Sequence, residues 1–97
     1  MKVVLLKSPR KEKKFRVILE NGRHVDFGQT GYSDFTLHHD PLRMKRYISR
    51  HSGMGETWTR KGIATAGFWS RWLLWNKPTL TEAKKRMETA WGIKFVR

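Results

Sequence analysis

The chain has 97 residues, with 21 lysines and arginines against 8 acids and a formal charge of +13. That length fits a single domain spanning 1–97, and the charge opposes compaction by self-repulsion, so a polyanionic partner is the first expectation. Five tryptophans and a 12% aromatic share exclude a solvated basic tail, and the absence of cysteine excludes disulfides, thiolate metal sites and a cysteine nucleophile.

Met1 to Lys7 reads as a short strand. Its apolar run, Val3 to Leu6, is far shorter than the roughly seven residues of a secretory core or the roughly twenty of a membrane span, so no membrane insertion is expected. Ser8-Pro9 and the run Arg10-Lys11-Glu12-Lys13-Lys14 read as a mobile, solvated basic connector over 8–14. Phe15, Val17 and Leu19 then alternate with Arg16, Ile18 and Glu20, and Asn21-Gly22 turns the chain into Arg23 to Phe27. A two-residue turn would scatter the apolar residues over both faces. A three-residue loop with Gly22 left-handed instead pairs Val17 with Val25 and Phe15 with Phe27, and sets Arg16 opposite Asp26.

Gly28 to Thr36 holds two glycines and no helical period, and reads as a loop with a short extended piece near Phe35-Thr36-Leu37. Asp40-Pro41 opens a helix running to His51, since aspartate is a good N-cap and proline suits the first helical position. On that helix Met44, Tyr47, Ile48 and His51 share one arc, and Arg43, Arg46 and Arg50 share the next. Ala64 to Asn76 is the most apolar stretch; Phe68, Trp69, Trp72, Leu73, Leu74 and Trp75 wrap more than half of a helix, which must therefore be nearly surrounded. In so small a protein the surroundings can include a second copy, and a homodimer is expected. Trp72→Ala is expected to cost about 3–5 kcal/mol by opening a large cavity. Thr79 and Glu82 form a capping box for a last helix with the apolar stripe Leu80, Ala83, Met87, Ala90 and Trp91. Gly92 caps its end, and Ile93 to Arg97 is compatible with a closing strand. The fold class is α+β: a small antiparallel sheet, made from the N-terminal strand, the Asn-Gly hairpin and the C-terminal strand, packed with about three helices.

The charge is uneven. Residues 1–16 carry seven bases and one acid, 17–40 one base and four acids, 41–77 eight bases and one acid, and 78–97 five bases and two acids. The first and third stretches supply the positive surface.

The segment from Phe15 to Thr79 carries a resemblance. Val25-Asp26-Phe27-Gly28, Gly31-Tyr32-Ser33-Asp34-Phe35-Thr36, His38, Asp40-Pro41, Arg46-Tyr47, Arg50-His51 and above all the string Thr65 to Thr79, with its three tryptophans, are its marks. On these residues the chain resembles small basic proteins of the nucleocytoplasmic large DNA viruses, including the giant viruses of amoebae, of marseillevirus and mimivirus type, and the chlorella viruses. The resemblance implies an origin, and residence in the virion interior with passage through the host cytoplasm, at the viral factory, or the nucleus. It implies no reaction.

Arg10, Lys11, Lys13 and Lys14, continued by Arg16, read as an arm on a phosphate backbone, with a nuclear import signal and a plain solvated linker as the other readings. Arg43, Arg46 and Arg50 are the better case, because no acid between Pro41 and Ser52 neutralises them; Lys45, Arg60 and Lys61 are outlying helpers. No base-reading motif is present, so binding is expected to be independent of sequence. Phe68, Trp69, Trp72, Leu73 and Trp75 read as core or dimer interface, since aromatics at helical spacing usually pack, and Trp58 is the indole freest to stack on a base or lipid. His38, His39, Asp40 and His51 suggest no metal site, because His51 lies on the packing arc and a site needs three or four convergent ligands. His38 and Asp40 instead organise the helix start. The eight acids are scattered and no nucleophile motif occurs, so neither an enzyme nor a cofactor is expected.

The expected function is a virion-associated protein that binds nucleic acid without sequence preference, DNA more readily than RNA, and packs or condenses the genome. A second reading is a virion structural or adaptor protein whose basic surface and tryptophan helix make protein contacts. A third is a regulator that recruits host nuclear proteins.

Overall fold

The computed structural model describes residues 1–96. Three strands open the chain: β1 (Lys2–Lys7), β2 (Lys13–Ile18) and β3 (His24–Gln29). Two short helices follow, α1 (Phe35–His38) and α2 (Pro41–Ser52), then a single 3₁₀ turn at Arg60–Gly62. Next come α3 (Ala66–Trp69), which continues into a π-helical segment Ser70–Leu74, and α4 (Leu80–Trp91), with β4 (Lys94–Phe95) last. The strand order is β3-β2-β1-β4, and the helices complete a small α+β fold.

The β2–β3 register follows the alternation in the sequence. Phe15 faces Phe27, Arg16 faces Asp26 and Val17 faces Val25. Gly22, at φ +85°, donates its N–H to the Leu19 carbonyl, and the Leu19 N–H donates to Arg23. The left-handed glycine is what allows the three-residue loop, and hence the register that puts Phe15, Val17, Val25 and Phe27 on one face.

Several expectations change. The sheet is mixed rather than antiparallel, because α4 returns the chain to the end of the sheet where it began: β4 runs parallel to β1, pairing Lys2 with Lys94 and Val3 with Phe95. Arg97, the last residue of the expected closing strand, lies outside the described residues. The basic connector expected over 8–14 is instead a hairpin connection over 8–12 followed by the start of β2. Lys13 and Lys14 belong to β2, Ser8 is buried, and its hydroxyl donates to Asp26 at 2.7 Å. The loop expected over 28–36 ends in α1, where the Asp34 carboxylate accepts from the Thr36 N–H at 2.9 Å; an N-cap at this position overrides the extended preference of Phe35 and Thr36. The tryptophan helix is shorter than Ala64 to Asn76, since Thr65 caps it and the Trp75 N–H reaches back five residues to Ser70, closing it with a wide turn. Ala90, expected in the apolar stripe of α4, is exposed.

One core lies between the sheet and the helices. Val3, Val17, Val25 and Phe27 from the sheet meet Phe68, Trp69, Leu73, Leu74, Ala83, Met87 and Ile93. Trp69 is fully buried, with Phe27 at 6.4 Å, Phe68 at 5.3 Å and Phe95 at 6.3 Å, and its indole N–H donates to the Ile63 carbonyl at 2.7 Å. The chain itself therefore surrounds the apolar helix, whose burial needs no second copy. Trp72 is only half-buried, held by Trp91 at 5.6 Å and by its N–H on the Trp58 carbonyl. The outer sheet face carries Val4, Leu6 and Ile18 beside an ion pair in which Arg16 grips Asp26 with two hydrogen bonds of 2.9 and 3.0 Å.

Two outcomes follow from this packing. Trp69→Ala should lower stability by about 3–5 kcal/mol and Trp72→Ala by about 2–3 kcal/mol, the reverse of the weight that helical position alone assigns to Trp72, as read by urea denaturation. The Arg16 guanidinium, then the Ser8 hydroxyl, pull the Asp26 carboxyl down from 3.8 to about 2. Its folded pKa is below its unfolded one, so the stability it contributes is present above about pH 4 and is lost as pH falls toward 2. Asp26→Asn should flatten that acid limb of the urea midpoint while lowering stability near neutrality.

Candidate nucleic-acid interface

The candidate interface is built on α2. Asp40 Oδ1 accepts from the Leu42 N–H at 3.0 Å, Pro41 occupies the first turn, and the His38 ring nitrogen accepts the Asp40 N–H at 2.9 Å, so the pair sets the start of the helix. Burial lowers the His38 pKa, with the Arg43 charge adding to the effect, which keeps the ring a neutral acceptor. The inward arc is anchored by Tyr47, whose ring stacks on Trp75 at 4.3 Å and nearly parallel, and on His51 at 4.1 Å. Burial, then the nearby Glu56 charge, raises the Tyr47 hydroxyl well above its ordinary pKa, so it remains a neutral phenol. With Tyr47 pinned, the adjoining arc must face water. Arg43, Arg46 and Arg50 are exposed, and none has an acidic partner among the described residues.

Glu56 was not singled out by sequence, yet it fastens the end of α2. One of its oxygens lies 2.6 Å from His51 Nδ1 and the other accepts the Trp58 indole N–H at 2.9 Å. Gly67 makes room for it, since a Cβ there would come within 3.0 Å of the carboxylate. Nothing in local spacing marks such a contact. Trp58 is therefore not a free stacking surface: the Arg71 guanidinium lies 5.5 Å from its ring centroid and 4.4 Å from that of Trp72. Burial lowers the pKa of Arg71, which is half-buried and donates to the Trp75 carbonyl.

Across from α2 stand β2 and the end of β3. Gly28, at φ +78°, brings Leu74 against the strand; an added Cβ would meet Leu74 Cδ1 at 2.9 Å and Lys14 Cβ at 3.1 Å. Lys14 pairs with the buried Asp34 at 2.7 Å. Between the walls lies a cavity of about 540 Å3 lined in part by Lys13, Lys14, Arg43, Arg50, Asp34 and Glu56. Four cations against two carboxylates leave it positive whatever the state of His51. A second, largely apolar groove of about 710 Å3 shares Lys13, Lys14 and Asp34 with it and is lined also by Phe15, Leu37 and Leu80 and by Lys7, Arg10 and Lys11.

The fold thus brings together four of the residues that sequence assigned to phosphate contact, Lys13, Lys14, Arg43 and Arg50, and sets Arg10 and Lys11 on the adjoining groove. Arg10 is held by Glu12 at 2.8 Å. Lys45 and Arg46 are exposed on α2 but line neither cavity. Arg60 and Lys61 sit apart on the 3₁₀ turn, where Arg60 donates to the Trp91 carbonyl at the end of α4. Phe68, Trp69 and Leu73 are core, and Trp72 and Trp75 are half-buried. Among the described residues no three histidine, aspartate or glutamate side chains gather as a metal site, and no helix is long and apolar enough to cross a membrane.

Fold and site together describe a small α+β protein with a cationic cavity between a sheet edge and an arginine-bearing helix. Residues 3–51 match a family of unknown function, DUF5754, and the chain belongs to that family. The match runs from β1 through α2 and so includes both walls of basic residues. No curated protein and no solved structure matches the chain.

Asp34 ties β2 to the start of α1 and provides a test. Asp34→Ala removes both the cap of α1 and the Lys14 partner, and should lower stability by about 2–3 kcal/mol. Asp34→Asn, which keeps a capping oxygen but not the charge, should recover about 1 kcal/mol of that loss in urea denaturation.

Proposed function

We propose that this protein binds the phosphate backbone of nucleic acid without reading its sequence. The observation that carries this reading is the row Arg43, Arg46 and Arg50, exposed and free of acidic partners among the described residues, with Lys13 and Lys14 facing Arg43 and Arg50 across the cavity. Guanidiniums spaced along one helical face suit successive phosphates, and contacts of this kind position a protein on a strand without specifying bases. The resemblance to proteins of large DNA viruses supports DNA over RNA, and a role in packing or condensing the genome inside the particle. No catalytic step is proposed.

The apolar groove favours a second reading. Its apolar lining of Phe15, Leu37 and Leu80 beside Lys7, Arg10 and Lys11 suits a protein contact, as expected of a virion structural or adaptor protein.

Binding of the purified protein to a random duplex at about 50 and 200 mM salt separates the two. Backbone binding predicts a loss of several orders of magnitude in affinity if six to ten phosphates are engaged. Replacing Arg43, Arg46 and Arg50 together by glutamine should lower the salt slope by about three while leaving the unfolding midpoint nearly unchanged. Absence of duplex binding at the lower salt would move the assignment to the adaptor reading.

A further inference from the structure

We propose that the cationic cavity takes a single unpaired nucleotide, with the phosphate on Arg43, Arg50 and Lys13 and the base against Tyr32; this rests on the backbone-binding reading and adds a ligand class to it. The shape is the first argument. Tyr47 and Leu74 in its lining are buried, while Arg43, Arg50 and Tyr32 are exposed, so the cavity is a recess that opens at a rim of exposed residues. A duplex backbone can run across such a rim but cannot enter, whereas a free nucleotide or one turned out of a strand can. At about 540 Å3 the cavity lies within the range of roughly 300–1,000 Å3 typical of small-molecule sites.

The chemistry is the second argument. Arg43, Arg50 and Lys13 have no acidic partner among the described residues, while the remaining cation, Lys14, is already held by Asp34. Those three supply the charge and the guanidinium geometry that a phosphate monoester or diester takes. Tyr47 is engaged on both sides, stacking on His51 and Trp75, and Trp75 is already stacked on Tyr47 with His38 tilted against it at 5.3 Å. Tyr32 can offer a ring face. It is 64% exposed at the cavity mouth, an unusual place for an aromatic ring, and follows Gly31, whose φ of +88° forms the turn that presents it. Base stacking on a single aromatic ring tolerates any base, which agrees with binding independent of sequence.

The test is calorimetric titration with adenosine 5′-monophosphate, ribose 5-phosphate and inorganic phosphate, alongside a short single strand and a blunt duplex with the same number of phosphates. Adenosine 5′-monophosphate should bind about tenfold tighter than ribose 5-phosphate or phosphate, and the single strand tighter than the duplex. Tyr32→Ala, a surface change checked for folding by circular dichroism, should abolish the tenfold advantage and leave duplex affinity unchanged. Arg50→Gln should weaken every phosphate ligand. Equal affinity for the mononucleotide and inorganic phosphate, or a Tyr32→Ala variant that keeps the advantage, overturns the nucleotide cavity even if the duplex binds with a steep salt slope. Tight mononucleotide binding without duplex binding supports the cavity and removes the backbone reading alone, and failure of all the ligands removes both.

Discussion

The seating of Trp69 is the contact on which the rest of the molecule depends. Its indole is the largest fully buried side chain, and it touches the sheet through Phe27 and the chain's end through Phe95. Its one polar atom is satisfied by the Ile63 carbonyl, so the ring is buried without leaving an unmet donor. A chain carrying +13 has to offset its own repulsion with apolar burial, and here the offset is concentrated in one short helical segment. The segment can lie close to the sheet only because Gly28 has no side chain at the point where Leu74 arrives.

The three tryptophans of that segment serve three neighbours. Trp69 faces the sheet, Trp72 faces Trp91 of α4, and Trp75 stacks on Tyr47 of α2. The wide turn closed by Trp75 and Ser70 ends the helix at the place where the third indole must reach α2 rather than the core. Trp75 is thus the link between core and surface. Because it holds Tyr47, it fixes the rotation of α2, and that rotation is what keeps Arg43, Arg46 and Arg50 in water and aims Arg43 and Arg50 at the sheet edge.

The acids reveal how the positive charge is divided. Asp26 holds Arg16, Asp34 holds Lys14 and Glu12 holds Arg10, while Glu56 engages the His51 ring. Those carboxylates fasten structure, and they leave the arginines of α2 without counter-charges among the described residues. Three cations on or beside the sheet are neutralised and none of the three α2 arginines is, so α2 presents a row of uncompensated positive charge.

Local physics made much of this legible in advance. The β2–β3 register follows from Phe15, Val17, Val25 and Phe27 needing one face and from Gly22 tolerating a left-handed backbone. Asp40, Thr79 and Gly92 mark helix ends because caps act within three residues of themselves, and the split of α2 into a packing arc and an arginine arc follows from 3.6 residues per turn. The candidate site was half readable on the same basis: the basic residues could be named, but not their grouping. Tertiary structure decided that Lys13 and Lys14 meet Arg43 and Arg50 while Arg60 and Lys61 stand elsewhere, that Trp69 rather than Trp72 is the centre of the core, and that β4 runs parallel to β1. Each depends on how separate elements dock, through contacts such as Trp75 on Tyr47 and Glu56 on His51. Side-chain period and capping chemistry act along the chain, over a few residues, whereas these pairings are chosen by the volume and polarity of partners brought together only when the core closes.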